Sequence, residues 1–190
     1  MLRLARTLEL LAAAFGRLTI RYAIVGSVAS SARGSYRATE DIDVVAAIGP
    51  SQVAGLCEIL GVDWYADGDQ IRAAIAAGRS FNLIYLPFSQ KVDVFPVKDE
   101  FGSAQVEHAS ALQISALGDS AAYPVASAED IVLAKLQWYR AGGEVSERQW
   151  TDILSVIRAT PGLNWNYTTE WAERLGVAQL LERARLEQTA

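Results

Sequence analysis

Three aspartates lie inside runs that otherwise have the composition of buried β-strands, and this restricts the chain more than any other feature of its sequence. The segment Asp41-Ile-Asp-Val-Val-Ala-Ala-Ile48, closed by Gly49-Pro50, reads as a strand, and so does Lys91-Val-Asp-Val-Phe95. Asp41 and Asp43 are two residues apart, so a strand turns both side chains to one face, roughly 6 to 7 Å apart along the chain. Two carboxylates on one face repel, and strands seldom accept Asp, so the pair requires either a solvated strand start or a cation. Asp93, set among Val92, Val94 and Phe95, also needs a partner: a salt bridge to Lys91 or an Arg, or a metal ion. Three carboxylates converging from two strands supply the oxygen ligands that hard divalent ions take, with positions left for phosphate and water. In a two-metal site with ions about 4 Å apart, Asp41 and Asp43 would ligate both ions, while Asp93 would hold one and act on an attacking hydroxyl.

The segment upstream supplies a phosphate-compatible turn. Thr19 to Val25 is β-branched and aromatic and ends at Gly26-Ser27, after which Val28 to Ala32 is small and helix-compatible, giving strand, tight turn and helix. A glycine at such a turn lets backbone amides approach a ligand, and Ser27 at the helix start offers N–H and hydroxyl donors to a phosphate. The same two residues also suit an ordinary turn with an N-cap.

Around these segments the expected order is mixed. Leu4, Leu8, Leu11, Phe15 and Leu18 follow helical spacing, so the N-terminus is an amphipathic helix. Ser51 to Leu60 reads as a helix capped by its serine, and Asp67 to Ala77 as another. Phe81 to Leu86 and Lys91 to Phe95 form a hairpin around Pro87-Phe-Ser-Gln90, and Leu112 to Ala116 and Ala121 to Val125 are short strands. From Ser127 the texture becomes helical. Ser127-Ala-Glu-Asp130 and Ser146-Glu-Arg-Gln149 resemble capping boxes, Gly142-Gly143 stops the first of these helices, and two more follow near 168–174 and 177–186. The expected class is α+β: a mixed sheet core flanked by helices over residues 1–126, then a helical C-terminal region over 127–190.

The net charge of −5 argues against a surface that coats nucleic acid by charge neutralisation. The charge is uneven, since residues 1–37 hold six Arg against one Glu, while residues 38–130 hold four basic and fourteen acidic residues. Arg3, Arg6, Arg17 and Arg21 could meet an RNA acceptor, although a plain solvated face is the favoured reading. The single Cys57 needs no oxidising compartment. Glu9 and Arg17 interrupt a signal-like start, and no run approaches a membrane span, so the expected location is cytoplasmic. His108 is the only histidine and Cys57 the only cysteine, too few for a zinc site built on His and Cys ligands. Trp64, Trp138, Trp150, Trp165 and Trp171 read as core or groove aromatics rather than an RNA-stacking module.

Taken together, Gly26-Ser27, then Gly34-x-x-Arg37-x-Thr39-x-Asp41-x-Asp43, then Asp93 on a later strand resemble the signature of the DNA polymerase β-type nucleotidyltransferase superfamily. The pattern is most similar to its small bacterial AbiEii-type branch of abortive-infection and toxin-antitoxin proteins. Later elements of the family also have counterparts in Lys135 and in Arg148-x-x-x-Asp152, so the resemblance spans residues 22 to about 157.

The resemblance implies a Mg²⁺- or Mn²⁺-dependent enzyme that moves a nucleoside monophosphate from an NTP to an acceptor hydroxyl and releases pyrophosphate. In this reading Asp41, Asp43 and Asp93 are the catalytic metal ligands. Gly26, Ser27, Arg37, Thr39, Lys135 and Asp152 serve the nucleotide, with Arg37 contacting phosphate and Thr39 supporting the loop. Lys135 has separate support, because it falls within an apolar helical arc of Ile131, Val132, Leu136, Trp138 and Tyr139 and so needs an anionic partner, either the triphosphate or, for a snorkelling lysine, an internal salt bridge. Asp152 and Arg148 also fit a plain i, i+4 ion pair. The branch often carries basic residues after the third-carboxylate strand, whereas Asp99, Glu100 and Glu107 make that segment acidic here. The acceptor left open by the resemblance is tRNA or another hydroxyl-bearing molecule, and a cognate antitoxin is a further partner it allows. A small-molecule or protein adenylyltransferase stays open, as does a non-catalytic nucleotide-binding protein or antitoxin.

Overall fold

A computed structural model describes residues 2–34, 41–114 and 121–188. The chain divides into two compact units. The first holds the residues up to Ala32 and from Asp41 to Ala126; the second holds Arg33, Gly34 and the residues from Ser127 onward.

The first unit is built on a mixed seven-stranded sheet. Its strands are β1 (Tyr22–Val25), β2 (Ile42–Ala46), β3 (Trp64–Tyr65), β4 (Phe81–Tyr85), β5 (Gln90–Pro96), β6 (Ser110–Gln113) and β7 (Ala122–Val125), in the order β3-β4-β5-β2-β1-β7-β6. The centre combines an antiparallel β1–β2 pair with a parallel β2–β5 pair, and β4 and β5 form the expected hairpin. Alternation is clean in β5, where Gln90, Val92, Val94 and Pro96 are buried and Lys91, Asp93 and Phe95 are only partly covered. This period-2 pattern turns the apolar set toward one layer and leaves Lys91 and Asp93 on the other face.

The helices of this unit follow from their sequences. In α1 (Leu2–Arg17), Leu8, Leu11 and Phe15 are fully buried, and the Phe15 ring meets Tyr22 of β1 edge-on at 5.3 Å. Burial pushes the Tyr22 phenol well above its ordinary pKa. The strand expected from Thr19 begins only at Tyr22, because the chain first turns out of α1 with Thr19 at φ 54°. The short α2 (Gly26–Ala32) leads straight out of β1 and packs on β1 and β2. Ser51 does not cap the next helix as expected. A 3-10 turn over Pro50–Gln52 precedes α3 (Val53–Leu60), and the Gln52 side chain accepts from the Gly49 amide at 2.9 Å. In α4 (Gly68–Ala76) Asp67 caps the amides of Asp69 and Gln70, both at 3.0 Å.

Two elements are additions to the sequence reading. The two-residue β3 extends the sheet beyond β4, and α5 (Glu100–Glu107) occupies the acidic segment after β5, where Asp99 caps it through the Gly102 amide at 2.8 Å. Asp99 and Glu100 therefore sit at a helix N-terminus, where negative charge is favourable.

The second unit contains α6 (Ala128–Ala141), α7 (Glu147–Ala159), α8 (Trp165–Arg174) and α9 (Ala178–Glu187). Ser127 and Ser146 cap α6 and α7 through the amides of Asp130 and Gln149, at 3.0 and 3.3 Å. Asp130 does not complete its box but is buried beneath α8, where its Oδ1 accepts from the Tyr167 hydroxyl at 2.7 Å. Burial and that bond raise the Tyr167 pKa. Trp138 departs from the expected core arc and is 61% exposed, whereas Ile131, Val132, Leu136 and Tyr139 are buried. No helix among the described residues is long and apolar enough to cross a membrane.

Candidate active site

The parallel ladder between β2 and β5 places Asp43 directly beside Asp93 as Cα partners. In-register residues on neighbouring strands point to the same face, and the strands lie about 4.8 Å apart. The ladder continues outward, since Asn82 of β4 is the register partner of Asp93 and is exposed. Asp43, Asp93 and Asn82 thus form one polar row across three strands. Asp41, immediately before β2, extends the same side of the strand by one pleat.

Gly26 opens the space that Asp43 occupies. It terminates β1, where Val25 pairs with Asp43, and turns the chain into α2 at φ 64°. A Cβ built on Gly26 would overlap the Asp43 carboxylate, with the Asp43 Cγ only 2.8 Å away. The glycine is therefore required twice, for its left-handed backbone and for its missing side chain. Ser27 follows in the first turn of α2, half-buried, while the Ser30 and Ser31 hydroxyls donate back to the carbonyls of Gly26 and Ser27 at 2.9 and 3.0 Å.

Of the alternatives for Asp93, the structure shows the salt bridge to Lys91. Lys91 stands two residues before Asp93, hence on the same face, and its ammonium lies 2.8 Å from Asp93 Oδ2 and 3.9 Å from Asp41 Oδ1. The hydrogen bond to Asp93 raises the Lys91 pKa against an opposing effect of burial, with Asp93, Asp41 and Asp43 adding Coulombic support. The Asp93 side chain is 19% exposed and that of Asp41 55%, so the stronger contact is also the better shielded one.

The chemistry of this donor set fits a hard divalent cation: carboxylate oxygens, two of them in register, on rigid strands. As placed, no three His, Cys, Asp or Glu side chains among the described residues are gathered closely enough to hold one. The cation between Asp41 and Asp93 is the Lys91 ammonium.

Beside this row, β3 ends after pairing Trp64 and Tyr65 with Tyr85 and Ile84. An open recess of about 500 Å³ lies there between β4 and α4, with Tyr65, Gln70, Arg79 and Asn82 among its walls.

In the second unit, Lys135 of α6 pairs with Asp152 of α7 at 3.7 Å, with side-chain exposures of 17% and 21%. Asp152 thus reaches across to another helix as well as lying one turn from Arg148. Arg37 and Thr39 lie outside the described residues.

Comparison with known proteins agrees with this architecture. The solution structure of the antibiotic-resistance factor ANT(2'')-Ia matches 97% of this chain and 94% of its own at a TM-score of 0.51 and 18% identity. An antigenic nucleotidyltransferase-like protein from Paracoccidioides brasiliensis matches 95% of this chain and 91% of its own at 0.52 and 19%. The fold is a nucleotidyltransferase fold. No protein-family model matches the chain, and no curated protein does. Within the nucleotidyltransferase fold seen here, the paired strand carboxylates and the glycine turn stand together on one sheet face.

Proposed function

We propose that the chain is a metal-dependent nucleotidyltransferase that transfers a nucleoside monophosphate from an NTP to a hydroxyl. The observation that carries this reading is the in-register pairing of Asp43 with Asp93 beside a glycine whose missing side chain leaves room for Asp43. Asp41, Asp43 and Asp93 are the residues that would hold Mg²⁺ or Mn²⁺. A bound divalent ion supplies charge neutralisation for the phosphates and the leaving pyrophosphate.

The protein's own groups do the rest. Asp93 accepts the acceptor's hydroxyl proton on a carboxylate oxygen, and the hydroxyl oxygen attacks the α-phosphorus as the bond to pyrophosphate breaks. Rigid strands hold the carboxylates in place, so catalysis rests on positioning and electrostatics. The resemblance assigns Gly26, Ser27, Arg37, Thr39, Lys135 and Asp152 to the nucleotide, and within the second unit Lys135 pairs with Asp152 at 3.7 Å. The recess beside Asn82 is the space we assign to the acceptor.

A small hydroxyl-bearing molecule suits this chain better than tRNA. Among the N-terminal arginines, Arg6 pairs with Glu9 at 2.7 Å and Arg3 lies 5.9 Å over Phe88, so two of the four already have partners within the chain. The match to a resistance factor over almost the whole of both chains points the same way. The AbiEii-type branch keeps tRNA, with an antitoxin partner, as the second acceptor reading.

Incubation with each labelled NTP and Mg²⁺ or Mn²⁺, against separate pools of aminoglycosides, tRNA and protein, tests both readings. Label in the aminoglycoside pool that is lost in Asp43→Asn supports the first, and label in tRNA supports the second. No transfer to any pool leaves a nucleotide-binding or antitoxin role.

A further inference from the structure

Lys91 stands where a cation is required, and its geometry extends the reading above. Its ammonium touches Asp93 and approaches Asp41, and the carboxylates it bridges are the same ones assigned to the metal. The ammonium already occupies Asp93 Oδ2, and a divalent ion on the same carboxylates would sit within a few ångströms of it, so the two positive charges oppose each other's binding.

We propose that Lys91 is a resident counter-ion that the metal must displace. In the metal-free protein its charge offsets that of Asp93 and, at a longer distance, that of Asp41. On metal entry the ammonium leaves Asp93 and the carboxylates close on the ion. The route is open, since the Lys91 side chain is 39% exposed and its flexible stem can carry the charge to solvent beside Ile84, its register partner on β4. The device raises the metal concentration at which the site fills and keeps the empty site folded.

This rests on the metal-dependent reading, and the experiment separates the two. Mn²⁺ binding is measured by electron paramagnetic resonance, and melting temperature is measured with and without Mn²⁺, for the wild type, Lys91→Gln, Lys91→Arg, Asp43→Asn and Lys98→Gln. Loss of the competing charge should tighten Mn²⁺ binding about tenfold in Lys91→Gln. The same variant should melt lower than wild type without metal and gain more on adding it. Lys91→Arg keeps the charge and should not tighten binding, and Lys98→Gln, the same charge change outside the row, should behave as wild type.

If Mn²⁺ binds the wild type and is lost in Asp43→Asn, but Lys91→Gln binds no more tightly, the displacement is overturned and the metal site stands. Equal tightening in Lys98→Gln overturns it too, since net charge alone would then explain the effect. If the wild type binds no Mn²⁺, both readings fall.

Discussion

The carboxylate of Asp43 occupies the position that the first side-chain atom of residue 26 would need, so Gly26 and Asp43 are a matched pair. Gly26→Ala must both adopt a left-handed backbone and push Asp43 out of its row. We expect a loss of about 2 kcal/mol or more in stability, from backbone strain and the clash together. Chemical denaturation measures the stability, and transfer activity should fall much further than stability does. An alanine variant with wild-type stability and activity would mean that Asp43 can serve from another rotamer.

Lys135 and Asp152 form a partly buried pair, so removing either partner leaves a charge half-stripped of water. Lys135→Met and Asp152→Leu should each cost about 1–2 kcal/mol, and the double variant should cost less than the sum. For function the two should differ. Lys135→Met should weaken NTP binding about tenfold by removing a charge-assisted contact, and Asp152→Asn should weaken it less, because the lysine remains. Calorimetric titration of an NTP checks the order; equal effects would assign Asp152 a direct contact.

In the first turn of α7, Trp150 donates to Glu187 Oε2 at 2.6 Å, and Arg183 binds the same carboxylate at 2.8 Å. The Trp150 bond, followed by that of Arg183, lowers the Glu187 pKa. A carboxylate with a depressed folded pKa stabilises the fold above its unfolded value of about 4.5, and the contribution fades as pH falls through the folded value. Glu187→Gln should therefore melt lower than wild type at pH 7, and the difference should shrink on acidification below about pH 4.5. A difference independent of pH would point to packing instead of charge.

The shared faces of the strand carboxylates were more legible in the sequence than the fold's edges were. A spacing of two on a strand is a strong constraint, so Asp41 with Asp43, and Lys91 with Asp93, were bound to share faces; which strands lie side by side is a tertiary fact, and the Asp43–Asp93 register came only with the structure. Two residues of β3 carry no periodicity, and α5 is rich in small and polar residues, so neither announces itself locally. Ser51 looked like a cap, but Pro50 lets the turn begin earlier and Gln52 supplies the side-chain acceptor. Trp138 shows the limit of helical periodicity: one arc of α6 is wider than the surface covering it.

The proposed reaction is transfer at the α-phosphorus. Parallel reactions with NTP labelled at the α- or the γ-phosphate, Mg²⁺ or Mn²⁺ and the responsive acceptor pool test it directly. The α-label should become bound to the acceptor while γ-label appears only in pyrophosphate, and both events should vanish in Asp93→Asn. Acceptor labelled from the γ-position, or transfer undiminished in Asp93→Asn, would contradict it.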